Sequence, residues 1–190
     1  APINDSPLYS FKIWSKSNQN ITLNLTYKDG THRYKPKVSY DGKNWQLLDT
    51  IKVFIDTTIN VATLKLNVTK DTLWISAQEL ITSKFYVDWI SQLLKKEFVR
   101  KGIIGSSSQG KSLHKLEIGK EGNSNFVVIL GRNHPPEVTG FFALKSFVET
   151  IAGGSEIAKE FRENFTTVVI PLVNPDGVDN GHWRHNYKGV

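Results

Sequence analysis

Two short polar stretches carry the residue types from which a reaction could be built. The first is His134-Pro135-Pro136-Glu137, an imidazole and a carboxylate three residues apart. Neutral imidazole nitrogen and carboxylate oxygen suit Zn²⁺ at bond lengths of about 2.0–2.2 Å, and the intervening prolines would stiffen the turn between them. The same spacing has an ordinary structural use. Proline at the first helical position and an acid in the first turn start a helix. The second stretch is Asn174-Pro175-Asp176-Gly177, followed by His182-Trp183-Arg184-His185-Asn186. By itself Asn-Pro-Asp-Gly signals only a turn. A third candidate, residues 105–112, matches the phosphate-binding pattern G-x-x-x-x-G-K-S/T. That chemistry needs a strand before the loop and a helix after it, so that backbone amides and helix N-terminus meet the phosphates together. Here the order reads as helix, loop, alternating strand. The expectation is a flexible Ser/Gly loop.

Both leading motifs follow apolar runs rich in β-branched residues, 126–131 and 167–173, which read as buried strands. Open α/β sheets place their ligand sites at such carboxyl ends. Between the runs, Val138, Phe141, Leu144, Val148 and Ile151 recur at helical spacing until Gly153-Gly154, and Ser155 can cap a short helix through Phe161. Strand, helix, strand is α/β order. Upstream, Tyr86, Trp89, Ile90, Leu93, Leu94 and Phe98 predict an amphipathic helix over 85–101, with cations near its end and Gly102 stopping it. Residues 11–80 alternate instead. Ile21, Leu23, Leu25 and Tyr27 form one apolar face, and Lys28-Asp29-Gly30 and Asp41-Gly42-Lys43-Asn44 are turn signals. Short strands so spaced predict an antiparallel β-sandwich. Trp45 is expected beneath a hairpin turn, in preference to a sugar- or peptide-binding surface shared with His32-Arg33-Tyr34. The boundary falls between 1–82 and 83–190.

Composition removes several classes. With no cysteine there is no disulfide and no thiolate ligand or nucleophile. No stretch approaches the ~20 apolar residues of a membrane span. The net charge of +6 comes from scattered residues and short pairs such as Lys95-Lys96, without a nucleic-acid motif, so no nucleic-acid partner is expected. Ala1-Pro2-Ile3 and the absence of methionine suggest a processed end. With the missing cysteine this favours export, periplasmic or secreted, over the cytoplasm.

Taken together and in order, the motifs resemble the zinc carboxypeptidase family. That family has a strand ending in G-R-x-H-P-x-E, another ending in N-P-D-G, and then W-R-x-N-x-x-G-V-D-L-N-R. The matching residues are 131–137, 174–177 and 183–190, and residues 110–119 resemble its early G-R/K-x-L-x-x-L-x-I-G strand. The resemblance covers about 85–190. It implies a mixed fold, an N-terminal antiparallel β-sandwich followed by the first part of an α/β carboxypeptidase domain with a mixed sheet, as in bacterial and cytosolic-type members. It further implies His134 and Glu137 as two of three protein zinc ligands, Arg184 as the transition-state arginine, and a peptide or protein C-terminus as substrate. The sequence ends at Val190, before the D-L-N-R segment. The family's carboxylate-gripping Asn-Arg pair, third zinc ligand (a histidine), specificity pocket and general-base glutamate fall beyond it. Nothing in the spacing requires His182 or His185 to serve as the third ligand. The expectation is the N-terminal part of a metallocarboxypeptidase, inactive alone and prone to self-association through an exposed sheet edge. The alternative is a non-catalytic glycan- or peptide-binding β-sandwich module with a pseudoenzyme remnant.

Overall fold

A computed structural model describes residues 6–189. The Ala1-Pro2-Ile3 end and Val190, the last motif position, lie outside the described residues. Contacts divide the chain into two compact units. One runs to Leu80 and includes Gly181–Trp183; the other is Ile81–Asn180 with the residues from Arg184 onward.

In the first unit, strands β1 (Ser10–Ile13), β2 (Gln19–Thr26), β3 (Lys37–Ser39), β4 (Gln46–Leu47), β5 (Val53–Asp56), β6 (Val61–Val68) and β7 (Leu73–Ser76) form two antiparallel sheets, ordered β1-β7-β3-β4 and β2-β6-β5. The longest pairing joins β2 to β6 from Gln19↔Val68 to Thr26↔Val61. Alternation turns Leu64, Leu66 and Val68 inward, where they cluster with Val38, Leu73 and Ile75 of the other sheet. Trp45 is half-buried rather than buried. The turn is closed by the Asp41 carboxylate, which accepts from the amides of Lys43 (2.8 Å) and Asn44 (2.7 Å), and the ring against Gly42 is that of Trp74. Trp183 belongs to this unit. Its ring centroid is 6.2 Å from that of Tyr34, and the Arg33 guanidinium stands 5.6 Å from it.

The second unit holds α1 (Ser83–Leu93), β8 (Val99–Ser106), β9 (Ser112–Ile118), β10 (Phe126–Leu130), α2 (Val138–Ile151), α3 (Glu156–Asn164), β11 (Thr166–Ile170) and α4 (Pro175–Asp179). Its sheet runs β10-β11-β9-β8 and is mixed: β10 and β11 are parallel, the other pairs antiparallel. A parallel pair needs a crossover, which α2 and α3 provide. The periodic residues of α2 are its buried ones, and they pack with Tyr86, Trp89, Ile90 and Leu93 of α1 over Leu116, Ile118 and Val169 of the sheet. Phe141 is the hub, its ring 4.5 Å from Tyr86 and 5.7 Å from both Phe85 and Trp89. Burying such a ring stabilises by about 1.5–3 kcal/mol.

One expected element differs. The first helix ends at Leu93; residues 94–98 turn, and from Val99 the chain, expected to stay helical to Lys101, forms β8 instead. Two glycines and the β-branched Val99, Ile103 and Ile104 disfavour helix, and pairing with β9 from Val99↔Ile118 onward decides the outcome. Arg100 therefore does not complement a helix terminus; it donates to the Gly119 carbonyl at 3.1 Å. Among the described residues nothing pairs with the outer side of β10, where Phe126, Val128 and Leu130 are 61%, 62% and 58% exposed. No helix among the described residues is long and apolar enough to cross a membrane.

Candidate active site

The two motif loops leave the sheet side by side. Beyond β10 and β11, Gly131 donates to the Ile170 carbonyl (2.9 Å), Val173 to that of Gly131 (3.0 Å) and Asn174 to that of Arg132 (3.3 Å). Glycine is required at 131, since a Cβ there would stand 2.8 Å from Leu144 Cδ1 and 2.9 Å from the Pro171 oxygen. Arg132 then adopts φ +55, a left-handed conformation that costs a non-glycine residue on the order of 1–3 kcal/mol. Its buried guanidinium donates to the Pro135 carbonyl (2.9 Å) and the Tyr86 hydroxyl (3.1 Å). Burial pushes the Tyr86 hydroxyl pKa up to about 12, against the opposing pull of Arg132.

This turn brings His134 and Glu137 together. His134 Nδ1 lies 2.6 Å from Glu137 Oε1, with the two side chains 41% and 45% exposed. Glu137 stands at the N-cap of α2, yet its side chain caps nothing; it faces His134. An imidazole nitrogen and a carboxylate oxygen in contact, both reachable by solvent, form a donor pair of the kind Zn²⁺ accepts. The pair fits as part of such a site.

The Asn-Pro-Asp-Gly stretch is more than a turn. It opens α4, with Asn174 Oδ1 accepting from the Gly177 amide at 2.9 Å. Asn174 Nδ2 also donates to the carbonyls of Asn133 and His185, each at 3.2 Å. One amide thus holds the backbones of all three motifs. Replacing Asn174 by Asp keeps the cap but turns a carboxylate toward two carbonyls. It is expected to destabilise the fold by about 1–3 kcal/mol, measured by urea unfolding. Wild-type stability would show that these bonds hold nothing.

Residues 105–112 are not a free loop. A strand rather than a helix precedes them, and another strand follows, so they cap the β8–β9 hairpin with no helix behind to bind phosphate. The buried Asp176 carboxylate accepts from Ser107 Oγ (2.7 Å) and the Gln109 amide (3.0 Å). Lys111 Nζ pairs with Asp179 at 2.7 Å. Burial acts to raise the Asp179 pKa, but hydrogen bonds from Lys111 and Ser83 outweigh it and leave the carboxyl below its ordinary value.

A cleft of about 360 Å³ opens beside the pair, lined among others by Ser107 and Ser108 of the latched loop, His134, Asn174, Arg184 and Tyr187. His134 and Arg184 therefore share one cleft, with Glu137 in contact with the imidazole. His185 is 7% exposed. His182 lies in the first unit. Among the described residues no group of three His, Cys, Asp or Glu side chains could hold a metal. The sequence does not show the contacts made by Arg132, Asn174 and Asp176. Only Asn174 had a local signal, as a capping residue ahead of proline.

Residues 86–189 match the model of the family described as zinc carboxypeptidase. The chain belongs to the zinc carboxypeptidase family. It is similar to an uncharacterized protein of Zymomonas mobilis, 23% identical over 189 residues that cover 96% of this chain and 48% of that one. A 64-residue stretch, 34% of the chain, is 39% identical to cytosolic carboxypeptidase 4 of Mus musculus and covers 6% of it. Two solved structures share the fold at 18% identity. One is a metallo-carboxypeptidase from Burkholderia cenocepacia (TM-score 0.84; 96% of this chain, 51% of that one). The other is a metallo-carboxypeptidase from Pseudomonas aeruginosa in complex with (2-guanidinoethylmercapto)succinic acid (TM-score 0.82; 96% and 50%). The chain thus spans about half the length of the relatives that match it throughout.

Proposed function

We propose that these residues are the front part of a zinc metallocarboxypeptidase that hydrolyses C-terminal residues from peptides or proteins. The observation that carries the reading is the His134–Glu137 pair, 2.6 Å apart, beside a cleft that also takes Arg184. His134 and Glu137 would be two of the protein ligands. Bound zinc supplies a Lewis acid for the scissile carbonyl and a water of lowered pKa. Arg184 offers its guanidinium to the negative charge that develops on the carbonyl oxygen. A catalytic zinc normally has three protein ligands. The third ligand and the general base are assigned to a longer polypeptide, in keeping with the half-length coverage of the relatives. Residues 1–82 are read as a β-sandwich accessory domain, because the two sheets share one apolar cluster, and 83–190 as the first part of the catalytic domain.

The natural-length protein should shorten synthetic peptides by single C-terminal residues, read by mass spectrometry. A chelator should stop this and added zinc restore it. Zinc-loaded protein that leaves acidic, basic and aromatic C-termini all intact would refute the reading. The 190-residue polypeptide alone should release nothing.

The uncovered β10 edge also supports self-association of that polypeptide, since an exposed apolar edge strand is a template for pairing. Sedimentation should find dimers or larger species, returned to monomer by Val128→Lys. A monodisperse wild-type monomer would contradict this.

A further inference from the structure

We infer that Arg132 is the positioning residue of this site: its guanidinium fixes the turn on which His134 and Glu137 converge. The inference rests on reading those two residues as zinc ligands.

Arg132 is 6% exposed, yet no ion pair among the described residues includes it. A buried guanidinium normally meets a carboxylate. This one meets two neutral oxygens, the carbonyl of Pro135 and the hydroxyl of Tyr86. Charge pairing therefore does not explain its place. What the side chain does is join two parts of the molecule. Pro135 lies between the two ligands. Tyr86 is 2% exposed and packed against Phe141, the hub of the core. The guanidinium thus ties the ligand turn to the packed core of the unit. The other bonds on the turn are a 3.2 Å bond from the Glu137 amide to the His134 carbonyl, a 2.8 Å bond from Val138 to Pro136, and the 3.2 Å bond from Asn174 to the Asn133 carbonyl, which holds the chain ahead of His134 and not between the two ligands.

The backbone points the same way. Position 132 has φ +55, which glycine adopts freely and arginine does not. Arginine here carries a backbone strain that glycine would avoid, and what it adds in return is the pair of bonds its side chain makes.

Arg132→Gly and Arg132→Ala, made in the natural-length protein, separate positioning from stability. Both delete the side chain, but only alanine keeps the backbone strain, so the glycine variant should melt higher than the alanine variant. Both should nevertheless bind zinc about ten- to a hundred-fold more weakly by chelator competition, the loss typical of removing a group that orients ligands. Arg132→Lys restores the charge but not the fork and should recover only part of the affinity. In the zinc-free protein, the amides of Glu137 and Val138 should exchange faster in both deletions. Wild-type zinc affinity in the two deletions, or unchanged exchange at those amides, would overturn the inference. If the wild-type protein binds no zinc, the metal reading falls, and amide exchange alone decides whether Arg132 holds the turn.

Discussion

Glu137→Gln in the natural-length protein should weaken zinc binding by more than a hundred-fold and remove peptide hydrolysis with it. Losing a group that merely orients a ligand costs about ten- to a hundred-fold, and a directly bound carboxylate contributes more. The substitution is suited to the question because little else depends on this side chain. It is nearly half exposed, and it does not cap α2 although it stands at the cap position. The amide keeps its size and can still hydrogen-bond to His134. The zinc-free variant should therefore melt within a few degrees of wild type. Chelator competition reads the affinity and calorimetry the fold. A glutamine variant that binds zinc as well as the parent would remove Glu137 from the site.

Arg184→Lys should lower kcat by about 10²–10³ while KM and zinc content change little. That is the loss found when one donor to a developing oxyanion is removed. Lysine keeps the charge but not the planar fork, so it is not a conservative replacement. An interaction made only in the transition state appears in kcat. Steady-state kinetics on a peptide substrate separates the outcomes. A kcat within a few-fold of wild type would leave Arg184 as a wall of the cleft.

The parts legible in the sequence were those set by local pattern. The α2 residues Val138, Phe141, Leu144, Val148 and Ile151 are buried on one face as their spacing requires. The β-branched runs became β10 and β11, and the motif residues follow their ends. The end of α1 was only partly legible: β-branched residues and two glycines follow it, but the pairing of Val99 to Ser106 with β9 is what decides for strand. No local propensity announces a partner that follows later in the chain. The latch on residues 105–112 has the same cause, since Asp176 and Ser107 meet across 69 residues. Arg132 was visible as a motif letter but not as a buried cation bonded to Tyr86, 46 residues away. Candidate site residues could thus be named from residue types, while the contacts that surround them depend on residues distant in sequence.

The most direct test of the metal assignment is crystallography on the natural-length protein grown with zinc, using anomalous differences on both sides of the zinc edge. One strong peak is expected, within bonding distance of both His134 and Glu137. A zinc peak bound elsewhere, with His134 and Glu137 still bonded to each other, would contradict it.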